Sequence, residues 1–524
     1  MMSVLPFPVT LTMNPLVALL LIVLLVAWIL KLRDNYKLFE KLNIPGPKPV
    51  PIFGSIQEFR DKNPLDVFKQ WRKIYGDVYG FFEGFCPSIV INSPEMAKQI
   101  LVKHFDKFHV RPVCNPFVYT PDENSLLNTS GTEWKRQRSI VAAAFNSVSM
   151  KHMTNQINLI GDKFCSKVAD RNRFNPEGFD ITSLVDRYTL DAFAKSGFDF
   201  NSDSLDNDDA LLYRFMKEFN HSSAADNPIA GLARVYSGLI PFLQLFDYKH
   251  KQVHEENMKE ITKHVAEKRL EYSQSTKEEH KNFLGQMITG SFFDRDEHGI
   301  YRRRHLKDEE IIGHINSLIG GGIGTLNACL SFVIHMLAVN PCAQQKAFQE
   351  VVKICGYDKS PTFDDVRKME YLEMVMHETL RMLPCAPGVT RRCTEDCNIN
   401  GVQFKKDVVV RIMTCTIYSD ETVFPNPDKF IPERFSSEEG KARHEYSFLP
   451  YGQGPRMCPG LKFADLQVKV ALVKLLQKFI IKPCQKTIDP LPTALRPMLV
   501  PKDGVYIQLE ERSRPNVRSN TGCA

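Results

Sequence analysis

The sequence predicts a mainly α-helical protein with small β-sheets, folded as one large domain behind an N-terminal membrane-spanning helix. Three observations lead there. Helical periodicity of apolar residues recurs along most of the chain, strand-type alternation is confined to 78–92 and 399–413, and residues 1–30 contain no Lys, Arg, Asp or Glu. A length of 524 residues alone suggests about three domains. No Gly/Ser-rich or low-complexity linker divides the chain, so a single body is expected. The expected divisions are an anchor at 1–33, a proline-rich linker at 34–51, the main domain at 52–511 and a polar tail at 512–524.

Residues 16–30 are unbroken by polar side chains, and with 11–15 they reach 20 residues, ~30 Å as a helix, about one hydrocarbon thickness. Lys31 and Arg33 follow at once, so the bias of basic residues to the cytosolic side predicts a lumenal N-terminus and a cytosolic main domain. A cleaved signal peptide would need a positive leading region and a small-x-small site, and the segment has neither. The run Ile44-Pro45-Gly46-Pro47-Lys48-Pro49-Val50-Pro51 reads as a stiff spacer.

Residues 78–92 alternate around Glu83-Gly84 as a small strand pair. Helices are expected at 94–104, 133–145, 149–170, 180–196, 250–274, 307–340 and 363–383. Residues 231–248 are unusually apolar for a connection, which suits either core packing or a lip that dips into a membrane. The stretch 421–457 is rich in Pro, Asp and Gly, with little periodicity. After it, Pro459 suits a first helical position, and Leu461, Leu466, Val470, Val473, Leu476 and Phe479 continue a helix.

Charge and cysteines narrow the function. A net charge of +6 is dilute over 524 residues, with both signs interspersed, and gives no nucleic-acid footprint. The 13 cysteines include no Cys-x-x-Cys pair. Cys393 and Cys397 are four apart, but no second Cys/His pair follows at finger spacing, so reduced thiols are expected. The sequons at Asn128 and Asn220 matter only in a secretory lumen.

Three motifs carry chemistry. The first is Phe448-Leu449-Pro450-Tyr451-Gly452-Gln453-Gly454-Pro455-Arg456-Met457-Cys458-Pro459-Gly460. Its glycines allow tight turns against a flat ligand, Arg456 supplies a cation beside the sulfur, and a following helix end would lower the thiol pKa of Cys458. The second is the rod at 307–340, roughly 50 Å long, opened by Asp308-Glu309-Glu310 and stopped by Pro341. Its middle holds Gly320, Gly321, Gly322 and Gly324, each costing ~1 kcal/mol against alanine, followed by Thr325. Bare backbone admits a planar cofactor and a small ligand, to which Thr325 offers a hydroxyl. A dinucleotide fingerprint would follow a strand, whereas this run interrupts a helix. The third motif is Glu378-Thr379-Leu380-Arg381 with Arg434 downstream.

Together these motifs resemble the cytochrome P-450 superfamily, and the resemblance covers 44 to about 511. It implies that fold, a haem b cofactor (iron-protoporphyrin IX) and the Cys458 thiolate as axial metal ligand, which favours O–O cleavage. Tyr451 stands where phenylalanine is usual, beside the cofactor. The oxygen-groove pattern places Thr325 on its threonine and Gly324 on its acid, with Gly322 against the cofactor. In the family that acid and hydroxyl organise proton delivery, so Gly324 is a departure. Glu378, Arg381 and Arg434 would form a buried network bracing the cysteine loop. Trp134, Arg138, Arg391 and Arg456 would hold the propionates, with Arg111 a further candidate.

The chain looks most like the animal microsomal drug- and steroid-oxidising family 3 branch, which is related to thromboxane synthase. That implies an endoplasmic reticulum membrane enzyme receiving electrons from NADPH through NADPH-cytochrome P-450 reductase. Lys135, Arg136, Lys462 and Lys469 would form its docking face. Substrate contacts are expected from 113–124, Ile319, Ile323, 386–389 and 493–499, whose mainly apolar character favours a sterol, fatty acid derivative or xenobiotic. The function expected first is monooxygenation of that substrate with O2. A reductase-independent isomerase or dehydratase of lipid peroxides is second, because of Gly324, and a non-catalytic haem-binding sensor third.

Overall fold

The computed structural model describes residues 14–59, 62–112, 118–223, 227–274, 281–295, 301–496 and 498–512. Its body is helical, with a four-stranded sheet on one side. That sheet runs Val78–Glu83, Cys86–Ile91, Val409–Ile412, Val389–Arg392, so strands far apart in sequence close it. Glu83 pairs with Cys86 across the hairpin turn, Ser88 with Val409 in parallel, and Arg391 with Val410 antiparallel.

The segment 308–339 crosses the core as helix Asp308–Leu318, a π-helical turn Ile319–Ile323 and helix Gly324–Val339. Its apolar stretch is long enough to span a bilayer, but 78% of it is buried inside the protein, as suits a core helix. The π turn falls on the glycine run, where missing side chains remove the packing that keeps a regular helix. Against this rod lie Thr182–Phe198, Glu370–Met382 and Leu461–Lys478. The span expected as one helix at 363–383 is divided into Phe363–Val366 and Glu370–Met382; Thr362 and Asp365 form a capping box on the first piece.

The N-terminal helix runs Pro15–Tyr36, capped by Asn14, whose side chain accepts from Leu16 N at 2.9 Å. Leu16, Leu19, Leu20, Val23, Ile29 and Leu30 are exposed. Residues 1–13 and 513–524, including most of the expected tail, lie outside the described residues. The expected linker at 34–51 is corrected: it is docked on the domain. Phe39 and Ile44 are buried in the core around the sheet, and Gly80 N donates to Pro45 O at 2.8 Å.

Candidate active site

The cysteine loop is shaped by two glycines in the left-handed region, Gly452 (φ 68°) and Gly454 (φ 78°). A Cβ on Gly454 would sit 2.2 Å from Leu101 O, so only glycine fits. Cys458 N donates to Tyr451 O at 2.9 Å and Met457 N to Gly454 O at 3.0 Å, closing the loop under the sulfur. The next helix is Leu461–Lys478 with Gly460 as N-cap; Pro459, expected inside its first turn, precedes it. Gly460 N–H favours the Cys458 thiolate, as do Arg111 and Arg138, but removal from water outweighs them and pushes the thiol pKa up. Arg456, expected as the cation beside the sulfur, points elsewhere.

Arg456 lies over the Trp134 ring at 4.4 Å, and its Nη2 donates to Thr129 O at 2.7 Å. Arg111 Nη2 donates to Arg456 O at 2.7 Å. Burial, then the charges of Arg111 and Arg138, push the Arg456 pKa down to about 9. Its Nε and Nη1 are buried without a hydrogen-bond acceptor among the described residues. Arg138 is half-buried, and burial followed by Arg111 lowers its pKa too. Arg391, on the strand Val389–Arg392, is buried, with Nη1 donating to Thr390 O at 2.8 Å. Three guanidiniums crowded together with two unused donors suit a multi-oxygen anion. A haem presents such anions in its propionates, so the residues fit the group.

On the central helix, Thr325 Oγ1 donates to Gly322 O at 2.8 Å. The glycines divide their work. A Cβ on Gly320 would meet the Phe219 ring at 2.9 Å, so this glycine lets helix Leu211–Ser223 approach, whereas one on Gly324 would meet Asn220 Oδ1 at an ordinary 3.7 Å. Gly322 faces open space, with nothing within 4 Å of its absent Cβ. Ile319 and Ile323, expected at a substrate face, are buried in the core; the half-buried face is Gly321, Gly322, Gly324 and Thr325. Residues 386–389 are half-buried, and Leu499 N donates to Cys385 O at 2.9 Å, bringing the hairpin Thr493–Arg496/Met498–Pro501 beside them. Of the expected loop at 113–124, residues 113–117 lie outside the described residues.

The structure brings Glu378, Arg381 and Arg434 together in the interior. Arg381 Nε and Nη2 donate to the two Glu378 oxygens at 2.8 and 2.9 Å, and Arg434 Nε donates to Glu378 Oε1 at 3.0 Å. Ile431 N adds a fourth donor at 2.9 Å. Arg381 Nη1 reaches Tyr418 O at 3.0 Å while Leu449 N donates to Tyr418 Oη at 2.8 Å, so Tyr418 ties the charge network to the cysteine loop. Tyr418 was missed in the sequence because its partners lie 37 and 31 positions away.

Asp465 was missed as well. Tyr451 Oη donates to Asp465 Oδ1 at 2.7 Å. The available signal was a tyrosine hydroxyl in need of a partner and one carboxylate in an otherwise acid-free helix. Two members of the expected docking face need correction. Lys469 is buried and paired with Glu373 at 2.9 Å, and Arg136 is paired with Glu310; only Lys135 and Lys462 are exposed. Cys393 and Cys397 sulfurs are 4.0 Å apart, but among the described residues no cluster of three metal-ligating side chains forms.

Comparison with known proteins follows the same outline. The Cytochrome P-450 family model matches residues 44–509. Cytochrome P-450 3A15 of Cavia porcellus is 31% identical over 91% of this chain and 93% of its own length. Cytochrome P-450 3A28 of Bos taurus is 31% identical over 91% and 92%, and cytochrome P-450 3A9 of Rattus norvegicus 32% over 94% and 96%. With the family model spanning the helical body and relatives of this identity covered almost end to end, the chain belongs to the cytochrome P-450 family and is a monooxygenase.

Proposed function

We propose that the protein is a membrane-bound haem-thiolate monooxygenase that inserts one oxygen atom of O2 into a lipophilic substrate, with electrons from NADPH through a flavoprotein reductase. The observation that carries this is the cluster of Arg111, Arg138 and Arg456 around the cysteine loop, with two buried Arg456 donors unused. Cys458 would hold the iron; Arg138, Arg391, Arg456 and Trp134 would hold the propionates, and the bare backbone at Gly322 would leave room for the cofactor. When bound, the haem supplies oxygen activation, and a thiolate ligand favours O–O cleavage.

The protein's own contribution is positional. Gly460 N–H, Arg111 and Arg138 stabilise negative charge on the Cys458 sulfur. The Glu378 network fixes the loop that presents it. Thr325 holds a hydroxyl at the open helix face, where it can pass a proton once it leaves Gly322 O. Apolar substrates suit the half-buried segments 386–389 and 493–495.

An endoplasmic reticulum location, with a lumenal N-terminus and a cytosolic domain, is supported by the exposed apolar helix Pro15–Tyr36 and the basic residues near its end. Gly324 favours a second reading, rearrangement of lipid peroxides without a reductase, because no carboxylate stands at that position and the amide of Asn220 takes the space beside it. Purified protein assayed with reductase and NADPH on a lipid panel, then with lipid hydroperoxides alone, decides. NADPH-dependent hydroxylation is expected; rearrangement of hydroperoxides alone would replace the first reading by the second. Cys458→Ala is expected to abolish the red-shifted Soret band of the ferrous carbonyl adduct.

A further inference from the structure

We infer that Tyr451 and Asp465 form a positioning clamp for the iron ligand: the Tyr451–Asp465 hydrogen bond locks the cysteine loop onto the helix that follows it. The inference rests on the haem-thiolate reading above.

Tyr451 is bonded at both ends. Its carbonyl accepts from Cys458 N at 2.9 Å, and its hydroxyl donates to Asp465 Oδ1 at 2.7 Å. The residue therefore bridges the backbone of the sulfur-bearing residue to the second turn of Leu461–Lys478. The bond adds a side-chain anchor to a loop whose turns rest on two glycines, Gly452 and Gly454, between Tyr451 and Cys458. The nearest cation, Lys469, is paired directly with Glu373 at 2.9 Å and acts on Asp465 only through its charge, so the direct partner of Asp465 is the Tyr451 hydroxyl. Asp465 is the only acid in its helix, and in that setting a carboxylate costs desolvation; burial pushes its pKa up to about 6 while the tyrosine hydroxyl lowers it. A group retained at that cost in a helix otherwise free of acids is explained by the tyrosine it holds. The short bond of a phenol to a carboxylate is also among the stronger neutral-to-charged hydrogen bonds.

The test compares haem-loaded full-length protein with Tyr451→Phe, Asp465→Ala, Asp465→Asn and the Tyr451→Phe/Asp465→Ala double variant. The readout is the ratio of thiolate-type to thiol-type Soret bands of the ferrous carbonyl adduct, with haem content and thermal stability measured alongside. Tyr451→Phe, which keeps every charge in place, is expected to raise the thiol-type fraction several-fold; Asp465→Ala also removes a negative charge near the sulfur, so its rise is expected to be smaller. Asp465→Asn keeps an acceptor and is expected to restore most of the thiolate-type band, and the double variant is expected to be no worse than the worse single one. A Tyr451→Phe protein with the wild-type ratio overturns the clamp, whatever becomes of the Asp465 variants. So do haem content and stability that fall together while the band ratio of the retained pigment stays fixed, the mark of a merely structural role. A wild-type protein without the thiolate-type band would instead overturn the haem-thiolate reading itself, so the two failures are distinguishable.

Discussion

His314 shows how one buried side chain makes stability depend on pH. Its Nδ1 accepts from Leu126 N at 3.2 Å, which assigns the proton of the neutral ring to Nε2. Burial, the largest cause, pushes its pKa down from 6.5 to about 4. Between those values the unfolded chain binds a proton that the folded one refuses, so stability rises with pH there; it is complete above 6.5 and lost as pH falls towards 4. The residue alone is expected to contribute a slope of about 1.4 kcal/mol per pH unit in that window. Denaturant unfolding of the wild type and His314→Gln at pH 7, 6 and 5 checks it: the wild type should lose stability more steeply on acidification. Parallel curves would show that the ring takes up its proton alike in the folded and unfolded chain, so that burial does not lower its pKa.

At the scale of elements, charge pairing and glycine placement make opposite demands. Glu378→Gln would leave Arg381 and Arg434 facing each other in the interior without their anion, at about 3–5 kcal/mol, and haem incorporation should fail. Normal haem content in both Glu378→Gln and Arg381→Ala proteins would disprove that role. Among the glycines, the outcome depends on the neighbour. Gly324→Ala meets Asn220 at ordinary contact distance and should stabilise by up to ~1 kcal/mol, whereas Gly320→Ala must displace the Phe219 ring and should gain nothing or lose. Thermal unfolding of the pair separates these outcomes. Local pattern revealed the strand pair at 78–91, the central rod and the helix after Cys458, because a repeat of 2.0 or 3.6 residues is written in neighbouring positions. It concealed the π turn, the break at 367–369 and the burial of Ile319 and Ile323. These depend on which helix lies opposite, and Phe219 and Asn220 are about a hundred positions from the glycines they cover.

Across the whole molecule, the candidate site residues Cys458, Glu378 and Arg456 could be named from the sequence because the chemistry expected of them demands their type and order, while Tyr418, Asp465 and the docking of 34–51 could not, since each is defined by a partner distant in the chain. The same long-range packing assembles one apolar face. The end of the Pro15–Tyr36 helix docks on the hairpin turn, with Asn35 Nδ2 donating to Phe85 O at 2.8 Å and Trp28 against the Phe85 ring at 5.6 Å. Phe85 in turn touches Tyr236 at 5.0 Å, and Tyr236 Oη donates to Ile52 O at 3.0 Å. Beyond Tyr236 the chain exposes Leu239, Phe242 (59%), Leu245 (71%) and Phe246. Within 231–248, Ala233 and Leu243 pack with Ala230 and Ile240 lies partly buried against them, while Leu239, Phe242, Leu245 and Phe246 are exposed. A bilayer that received the Pro15–Tyr36 helix would receive this face as well. Protein beginning at residue 37 should then still bind vesicles, and Phe242→Ser with Leu245→Ser should weaken that binding. Burying one such side chain contributes about 1.5–3 kcal/mol, so losing two reduces the partition coefficient by ~100-fold or more. Leu159 (63% exposed) and Phe174 (81%), on the helix Ser147–Phe174, provide the control, since serine there removes as much exposed apolar surface from a different element. Co-sedimentation with liposomes reads the result. Equal loss from both pairs would mean that exposed apolar area anywhere drives adsorption, and a shortened protein that does not bind at all would leave the Pro15–Tyr36 helix as the membrane contact.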